Sequence, residues 1–270
     1  MISIIIVNYN QTVWLKRCLE TIGKSSPEFP LEIIIIDNNS ARPPEDLIKE
    51  YQKDLNLKLY KNEKNLGYAR GVNQGIKLAR GEYLLIINPD VFITSDSLTM
   101  MVEFWETNKE IGILAPQLLN PDGTIQISCF RFPKWFTPFV RRTFLKFLPF
   151  GRKEFDRYTM ADYDRQELRE VDWVLGAAML VKKERIEKIG PMDERFFLYF
   201  EDVDWCRRFK NAGFKIVYFP LVKFYHQYPR LSAKSGGIIF FNKFFWFHLI
   251  SAVKYFAKWG PISIPRNTSR

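Results

Sequence analysis

Two runs, ISIIIVNYN at residues 2–10 and EIIIIDNNS at residues 32–40, each place a continuous apolar, β-branched segment directly before a polar cluster. Such continuous runs are typical of strands that are buried on both faces of a parallel sheet. Between the two runs, apolar residues recur at helical spacing from Trp14 to Ile22, and Gly23 supplies a stop. The segment therefore predicts a βαβ unit.

The same alternation continues along the chain. We expect helices over residues 43–53 and 68–79 and strands over residues 57–60 and 83–87. This pattern favours an α/β fold with a Rossmann-like, open, mostly parallel sheet flanked by helices. In such a sheet, ligands bind beyond the carboxyl ends of the strands. The polar clusters that fall at these ends are residues 8–10, 37–40 and 88–90.

The second half of the chain is less regular. We expect helices over residues 95–108 and 201–211 and a strand over residues 215–219. A strand-like apolar run over residues 171–181 is interrupted by Gly176, which either allows close approach to a ligand or marks a bulge.

Composition is that of an ordinary globular protein. The 270 residues include 40 Lys and Arg against 30 Asp and Glu, a formal net charge of +10, and 47% of them are hydrophobic. This balance allows a full core and excludes disordered and fibrous classes. Three widely spaced cysteines without a CxxC pair, Cys18, Cys129 and Cys206, favour neither a disulfide scaffold nor a cysteine metal site. A reducing compartment is therefore expected.

The apolar run at residues 2–7 is too short for a signal peptide, and no apolar run reaches the roughly 20 residues that a spanning helix needs. We therefore expect a cytoplasmic protein. Two stretches, residues 130–153 and residues 238–259, combine Phe and Trp with Lys and Arg. That composition is typical of segments at an anionic membrane surface, so we expect peripheral association with the inner face of the cell membrane.

The two stretches differ in pattern. Residues 130–153 show no clean period and are interpreted as mobile or partner-facing, whereas residues 238–259 are expected to form a basic, aromatic C-terminal helix. An alternative for this helix is packing on the catalytic domain or on a second subunit, which would make a homodimer. No nucleic-acid-binding motif is present, and no nucleic-acid partner is expected.

Asn and Asp oxygens in the three polar clusters suit Mg²⁺ or Mn²⁺ and a phosphate-bearing ligand. Turn formation is the alternative for any single cluster. Six blocks of sequence, in this order along the chain, resemble glycosyltransferase family 2. They are IIIVNYN (4–10), IDNNS (36–40), NLGYARGVN (65–73), INPDV (87–91), WVLGAA (173–178) and FLYFEDVDWCRR (197–208).

The blocks cover residues 1 to about 230 and are most similar to the bacterial rhamnosyltransferase-like branch of that family. The resemblance implies a GT-A fold, a nucleotide-diphosphate sugar donor, a divalent cation (Mg²⁺ or Mn²⁺) and inversion at the sugar carbon. It also implies a catalytic domain at residues 1–228, with a nucleotide-sugar half at about 1–116 and an acceptor half at about 117–228, followed by a helical segment at 229–270.

The resemblance makes Asp37 the residue that reads the base. A carboxylate accepts the N3–H of uracil or thymine, which favours a UDP- or dTDP-sugar. Alternatives for Asp37 are a helix cap or an Asx-turn, and for Arg70 a solvated helix face. The residues that the resemblance assigns to the nucleotide sugar are Asn8, Tyr9, Asn10, Asp37, Asn39, Arg70, Asn73, Asn88 and Gly176.

Asn88-Pro89-Asp90 occupies the place of the family's DxD motif, with Asn in place of the first Asp. Asp90 is then the sole anionic metal ligand from this motif. The metal would act as a Lewis acid on the diphosphate leaving group. His226 matches a position that contacts metal or diphosphate in the family, and the alternative is a structural histidine.

Inversion by direct displacement needs one base to take the proton of the acceptor hydroxyl. The resemblance gives this role to Asp202 and makes Glu201 a ligand of that hydroxyl. Trp173 and Asp204 are placed on the acceptor side, and Asp204 is expected to form an ion pair with Arg207. The alternative is that these carboxylates only favour the first turn of a helix.

The function expected from the resemblance is transfer of L-rhamnose from dTDP-rhamnose to a lipid-linked oligosaccharide in cell-surface polysaccharide synthesis. One rival is a sugar-1-phosphate nucleotidyltransferase, which would carry a glycine-rich phosphate loop after the first strand, where this chain has Asn8-Tyr9-Asn10-Gln11. The other is a catalytically dead glycan- or lipid-binding protein of the same fold, for which Asn88 is the support.

Overall fold

A mixed sheet forms the centre of the computed structural model, which describes residues 1–25, 29–227 and 243–261. The first half alternates as expected, and its elements are β1 (Ile2–Asn8), α1 (Thr12–Lys24), β2 (Leu31–Asp37), α2 (Glu45–Tyr51), β3 (Leu57–Lys61), α3 (Tyr68–Leu78), β4 (Tyr83–Ile87), β5 (Val91–Phe92), α4 (Ser97–Thr107) and β6 (Ile111–Leu119). Strands β1 to β4 pair in parallel, in the order β3-β2-β1-β4.

The remaining elements complete the sheet and its cover. They are β7 (Cys129–Phe130), α5 (Thr137–Arg142), a 3₁₀ turn (Phe144–Phe147), α6 (Pro149–Thr159), β8 (Arg169–Val171), β9 (Trp173–Val174), β10 (Ala178–Lys182), α7 (Lys183–Ile189), α8 (Glu201–Asn211), β11 (Lys215–His226) and α9 (Lys243–Trp259). The sheet continues from β4 as β10-β6-β11-β5, with β8 on β11, and β7 pairs with β9 separately. β10 is antiparallel to β4 and to β6.

Both faces of β1 are buried, and this explains its continuous apolar sequence. Ile5 packs in the cluster that includes Val72 of α3, whereas Ile4 packs in the cluster that includes Leu15 of α1. Full burial of each such side chain is worth roughly 1.5–3 kcal/mol. The sheet is therefore a layer between two helical layers, and the carboxyl ends of its parallel strands meet at one edge.

The apolar run at residues 171–181 includes the last residue of β8, all of β9 and most of β10, and Gly176 lies in the bend between β9 and β10. β11 extends past the expected end at residue 219 as far as His226. A register shift between Phe219 and Lys223 lets β11 continue along β6 and then pair with β5. This extension brings His226 beside Val91, at the carboxyl edge of β4.

Residues 130–153, interpreted from the sequence as mobile or partner-facing, have regular secondary structure, and a partner-facing role for them stays a prediction. The chain there forms β7, α5, the 3₁₀ turn and the start of α6. Pro138 and Pro149 stand in the first turns of α5 and α6, where proline is pre-organised for a helix. Elements this short show too few repeats for a helical period to be seen in the sequence.

The expected C-terminal helix is confirmed over Lys243–Trp259. Residues 238–242 of that prediction, and the domain boundary at residues 228/229, lie outside the described residues. α9 packs on the segment that leads into α8: Ser251 Oγ donates to the Leu198 carbonyl oxygen at 2.8 Å, and Arg207 Nη1 lies 3.2 Å from the Tyr255 hydroxyl. None of the helices in the described ranges has the length and apolarity needed to cross a bilayer.

Candidate functional site

Most of the polar residues selected from the sequence meet at the carboxyl edge of the sheet. Asn8 and Asp37 end β1 and β2 and pair in register. Asn88 directly follows β4, and its N–H donates to the Ala177 carbonyl oxygen at 3.0 Å. Because β10 runs antiparallel to β4, Gly176 before it lies at the same edge.

Asp37 is buried in a hydrogen-bond network of its own loop. Asn8 Nδ2 and Ser40 Oγ donate to Asp37 Oδ1 at 2.6 and 2.7 Å, and the Ser40 N–H donates to Oδ2 at 2.9 Å. This is the turn-forming arrangement that the sequence left open, because a carboxylate here satisfies donors within residues 37–40. The amide oxygen of Asn8, Oδ1, is also buried and has no hydrogen-bond partner in the described residues.

The loops around Asp37 expose polar and aromatic side chains. Tyr9 is 42% exposed, and Asn10 and Asn39 are also exposed. Asn10 and Asn39 both have positive φ, 57° and 63°, a conformation that asparagine tolerates better than most residues. The Asn10 side chain fixes the second loop, since its Oδ1 accepts from the Ala41 N–H at 2.7 Å. Tyr9 and Asn39 are therefore presented to solvent on a fixed frame.

Two of the expected nucleotide-sugar residues are held elsewhere. Both polar atoms of Asn73 bond the Met192 backbone, with Nδ2 2.8 Å from the carbonyl oxygen and Oδ1 2.9 Å from the N–H. Arg70 is half exposed and lies 3.4 Å from Glu194. Both side chains thus join α3 to residues 192–194, the start of the segment that leads to α8.

Asp90 and His226 form a buried pair. His226 Nε2 lies 3.5 Å from Asp90 Oδ1, and His226 Nδ1 lies 2.7 Å from Gln126 Oε1. In a neutral imidazole whose Nδ1–H donates to Gln126, the Nε2 lone pair is directed toward Asp90. Asp90 Oδ1 has no hydrogen-bond partner in the described residues. With this tautomer, the imidazole nitrogen and the carboxylate oxygen, 3.5 Å apart, would both be able to bind one cation.

Within residues 1–25, 29–227 and 243–261, no group of three or more His, Cys, Asp and Glu side chains is placed to hold a metal by itself. Mg²⁺ is usually held by one or two carboxylates together with substrate phosphates and water. The Asp90–His226 pair fits such a shared site, in which a diphosphate supplies the further ligands. The sequence did not identify Gln126, which orients the imidazole.

Glu201 and Asp202 open helix α8. Asp202 accepts the Gly176 N–H at 3.0 Å and the Val203 N–H at 2.8 Å. A Cβ on Gly176 would lie 3.2 Å from the Asp202 Cβ, so glycine permits this close approach. Burial raises the pKa of Asp202, and burial together with the Asp202 charge raises the pKa of Glu201 well above its usual range. Both carboxyls therefore favour the protonated form more than an exposed carboxyl does, and Glu201 does so more strongly.

The backbone before α8 is unusual. Tyr199 and Phe200 have φ values of 69° and 67°, in the left-handed region that bulky residues rarely adopt. Such conformations persist where the surroundings impose them, commonly at functional sites. Here they turn the chain so that the first turn of α8, with Glu201 and Asp202, faces Gly176.

Tyr68 is a residue of this site that the sequence analysis did not single out. Its hydroxyl donates to the Gly176 carbonyl oxygen at 2.7 Å. Burial and the charges of Glu201, Asp202 and Asp90 raise the pKa of its phenol well above the usual range. Tyr68 bonds the carbonyl oxygen of the same glycine whose N–H bonds Asp202. The available signal was its position in the NLGYARG block.

Asp204 and Trp173 lie behind this surface. Asp204 is fully buried and pairs with Arg208 at 3.1 Å and with Lys258 at 2.7 Å. The expected ion pair with Arg207 is therefore wrong: both arginines have a helical spacing from Asp204, but the Arg207 side chain is directed to the Tyr255 hydroxyl and Arg208 to Asp204. Trp173 stacks on the Phe130 ring at a centroid distance of 4.5 Å and is 4% exposed.

Comparison with known proteins gives a consistent result. The model of the family "Glycosyl transferase family 2" matches residues 3–161. N-acetylglucosaminyl-diphospho-decaprenol L-rhamnosyltransferase of Mycobacterium tuberculosis is 26% identical over 84% of this chain and 76% of its own length. Rhamnosyltransferase WbbL of Escherichia coli K12 is 24% identical over 96% of this chain and 93% of its own length.

Solved structures agree on the fold. The mannosyltransferase PcManGT of Pyrobaculum calidifontis, in complex with GDP-Man and Mn²⁺, superposes with a TM-score of 0.58 at 17% identity, over 98% of this chain and 76% of that one. The chain spans a smaller share, 60%, of the Staphylococcus aureus TarS 1-349 structure that it also matches. The fold is therefore GT-A, and the match over residues 3–161 shows that the chain belongs to glycosyltransferase family 2.

Proposed function

We propose that the chain is an inverting glycosyltransferase that moves L-rhamnose from dTDP-rhamnose to a hydroxyl of a lipid-linked glycan in cell-surface polysaccharide synthesis. The observation that carries this proposal is that two acidic groups are anchored to neighbouring residues of one bend: Asp202 accepts the Gly176 N–H, and the Asn88 N–H, two residues before Asp90, donates to the Ala177 carbonyl oxygen. A transferase needs a site for the diphosphate leaving group and a separate base for the acceptor, and these two groups provide them.

Asp202 is the proposed base. It takes the proton of the acceptor hydroxyl while the acceptor oxygen bonds the sugar C1, and the C1–O bond to the diphosphate breaks with its electron pair on the departing nucleotide. Attack from the side opposite the diphosphate inverts the configuration. The N–H groups of Gly176 and Val203 orient the carboxylate. Protonated Glu201 donates to the acceptor oxygen, with its buried Oε2 unpartnered in the described residues.

Asp90 and His226 are the proposed metal ligands. When bound there, Mg²⁺ or Mn²⁺ would supply Lewis-acid stabilisation of the diphosphate leaving group. Gln126 holds the imidazole of His226 in the orientation that faces Asp90. Within the described residues, Asn88 forms its hydrogen bonds through its backbone, and its side chain carries no charge, so the diphosphate supplies the charge that the family's first Asp would have given.

The proposed nucleotide is supported by the residues around Asp37, and the proposed sugar and acceptor are supported by the relatives. The loops of Asn8, Tyr9, Asn10 and Asn39 around Asp37 form the proposed base and ribose pocket, and Asp37 reads the N3–H of thymine or uracil. The two bacterial relatives support rhamnose as the sugar, and the name of the mycobacterial protein supports a polyprenyl-diphosphate acceptor. Peripheral association with the inner face of the cell membrane follows from such an acceptor and is part of the proposal.

Release of nucleoside diphosphate from UDP-, dTDP- and GDP-sugars, with Mn²⁺ or Mg²⁺ and with or without lipid extract, tests the proposal. We expect metal-dependent release from dTDP-rhamnose that lipid extract increases. The Asp202→Asn variant should lose transfer but retain nucleotide binding, because Asp202 faces the acceptor. Normal transfer by this variant would remove Asp202 from the base role. Failure to bind or turn over any donor would favour the dead-site alternative.

A further inference from the structure

Exposed phenylalanine is confined to one part of the described chain. Phe139, Phe144, Phe147 and Phe150 are 48%, 71%, 76% and 57% exposed, and every other described phenylalanine is buried or partly buried. Leu148, in the same segment, is also exposed. Scattered exposed apolar residues are normal, but a contiguous group marks an interaction surface.

The same segment is strongly basic. Residues 139–153, which we call the 139–153 surface, contain five Lys and Arg and no Asp or Glu. Arg141, Arg152 and Lys153 are exposed. Arg152 has a weak surface partner, Asp156 at 3.7 Å, in the next turn of α6. The segment therefore combines aromatic rings with a local excess of positive charge.

Buried contacts on the inner side of this segment explain why it folds, and the exposed rings are not needed for that. Val140 is buried against the body of the protein, and the buried Glu154 carboxyl bonds Thr137 and Arg157. Tyr158 packs on Phe130 at a centroid distance of 5.2 Å. These contacts hold α5 and α6 in place. None of them involves the four exposed phenylalanine rings.

The 139–153 surface adjoins the acceptor side of the site. Arg141 Nη1 lies 3.1 Å from the Tyr158 hydroxyl, and its positive charge acts on Asp202. Phe130, which packs on Tyr158, also stacks on Trp173, three residues before Gly176. A lipid held at this surface would therefore place its headgroup on the same side as the proposed base.

We infer that the 139–153 surface docks the protein on an anionic lipid bilayer. The four phenylalanine rings enter the interface between headgroups and acyl chains, and the basic side chains bind the lipid phosphates. Charge favours this occupant over a second copy of the chain, because two such surfaces, each with five positive charges and no acidic residue, repel each other. The role of this docking in presenting a lipid-linked acceptor rests on the proposed function.

Co-sedimentation with vesicles tests the inference. The full chain is mixed with vesicles of phosphatidylcholine alone and of phosphatidylcholine with phosphatidylglycerol. We expect binding to the anionic vesicles that weakens with salt. The double variant Phe144→Glu/Phe147→Glu should bind them about tenfold or more weakly. Arg152→Gln/Lys153→Gln should lose about fivefold for each charge, on anionic vesicles only.

The matched control is Val13→Glu/Leu221→Glu, which changes two side chains that are 70% and 69% exposed outside this surface. It should bind vesicles as the unchanged protein does. Thermal unfolding and dTDP binding without vesicles show that each variant is folded. Equal binding of both vesicle types, or unchanged binding by Phe144→Glu/Phe147→Glu, overturns the inference.

Light scattering tests the alternative that a second copy of the chain covers the 139–153 surface. A dimer of the unchanged protein that Phe144→Glu/Phe147→Glu dissociates, without binding to anionic vesicles, would assign the surface to a second copy and overturn the bilayer. Binding of nucleotide-sugar donors is measured separately and without lipid. Failure to bind any donor, in a protein that binds anionic vesicles, would contradict the proposed function while leaving the docking surface intact.

Discussion

Asp37 holds its loop by hydrogen bonds and is also the residue proposed to read the base. Its oxygens accept from Asn8 and from the Ser40 hydroxyl and N–H. Asp37→Ala leaves these buried donors unsatisfied, and we expect it to lower the free energy of unfolding by about 1–3 kcal/mol and to weaken binding of UDP and dTDP. Chemical denaturation and calorimetric titration measure the two effects.

The control for Asp37 is Ser40→Ala, which removes the hydroxyl but retains the carboxylate and the Ser40 N–H. If Asp37 reads the base, Ser40→Ala should retain more nucleotide affinity than Asp37→Ala at a comparable loss of stability. Equal affinity losses in the two variants would mean that Asp37 acts only by shaping the loop.

Glu201 gives a pH-dependent prediction. Burial and Asp202 raise its folded-state pKa well above the ordinary value of about 4.3. Between these two pKa values the folded protein binds a proton that the unfolded chain has released, so stability falls with rising pH, by about 1.4 kcal/mol for each pH unit. Glu201→Gln removes this loss. Its Tm relative to the unchanged protein should therefore rise as pH increases from about 5 to 8.

Glu187→Gln, which changes an exposed carboxylate on α7, is the control for this series. Its Tm difference from the unchanged protein should stay flat over the same pH range. A flat difference for Glu201→Gln as well would show that Glu201 is ionised in the folded protein, and would remove it from the proton-donating role.

At the scale of elements, helix α9 bonds both α8 and the segment that precedes it. Lys258 Nζ lies 2.7 Å from Asp204 and 2.8 Å from Asp193, and Trp259 Nε1 donates to Asp204 at 2.7 Å. Lys258→Met keeps the aliphatic stem but leaves the buried Asp204 with fewer partners. We expect it to cost about 1–3 kcal/mol of stability and to lower kcat, because Asp204 is two residues from Asp202.

Lys254→Met is the matched variant on the same helix, since exposed Lys254 bonds the Arg195 carbonyl oxygen at 2.7 Å and no carboxylate among the described residues. Thermal unfolding and donor turnover with acceptor compare the two. A cost for Lys258→Met no larger than that for Lys254→Met would show that the charge cluster around Asp204 does not hold α8 in place.

Among the helices and strands, the sequence predicted those that are long, have a clear apolar period and depend on local sequence. Helix α8 has the expected bounds because its apolar spacing and its acidic first turn agree. Helix α5 escaped prediction because six residues give little periodicity, and α6 because the residues that it buries, Gly151, Glu154, Tyr158 and Thr159, do not form an apolar stripe. The extension of β11 to His226 depends on a register shift against β6, a tertiary feature that no local pattern encodes.

Within the candidate site, the sequence identified the residues whose positions follow directly from strand ends, such as Asp37 and Asp90. It could not place those whose roles depend on contacts distant in the chain. Gln126 meets His226 across 100 residues, and Tyr68 meets Gly176 across 108. The partner of Asp204 was wrong for a local reason, because the sequence offered both Arg207 and Arg208 and only side-chain direction selects between them.

For the whole molecule, the site joins distant parts of the chain, from Asn8 on β1 to His226 on β11. A ligand that binds only when all of these are folded stabilises the entire chain, by about 2.7 kcal/mol at a concentration of about 100 Kd. We expect dTDP with Mn²⁺ to raise the Tm by about 5 °C or more. dTDP alone should raise the Tm less, because without the cation nothing links its diphosphate to Asp90 and His226.

Two variants separate the metal from the nucleotide in this thermal shift. Asp90→Asn should retain the increase given by dTDP alone and lose the part that Mn²⁺ adds, because the carboxylate nearest His226 is gone. Asp96→Asn, an exposed carboxylate six residues along the chain, should keep both parts. If Asp90→Asn keeps the Mn²⁺-dependent part, the metal is held elsewhere. A Tm that no nucleotide raises, with or without Mn²⁺, would contradict a nucleotide-sugar site at this edge of the sheet.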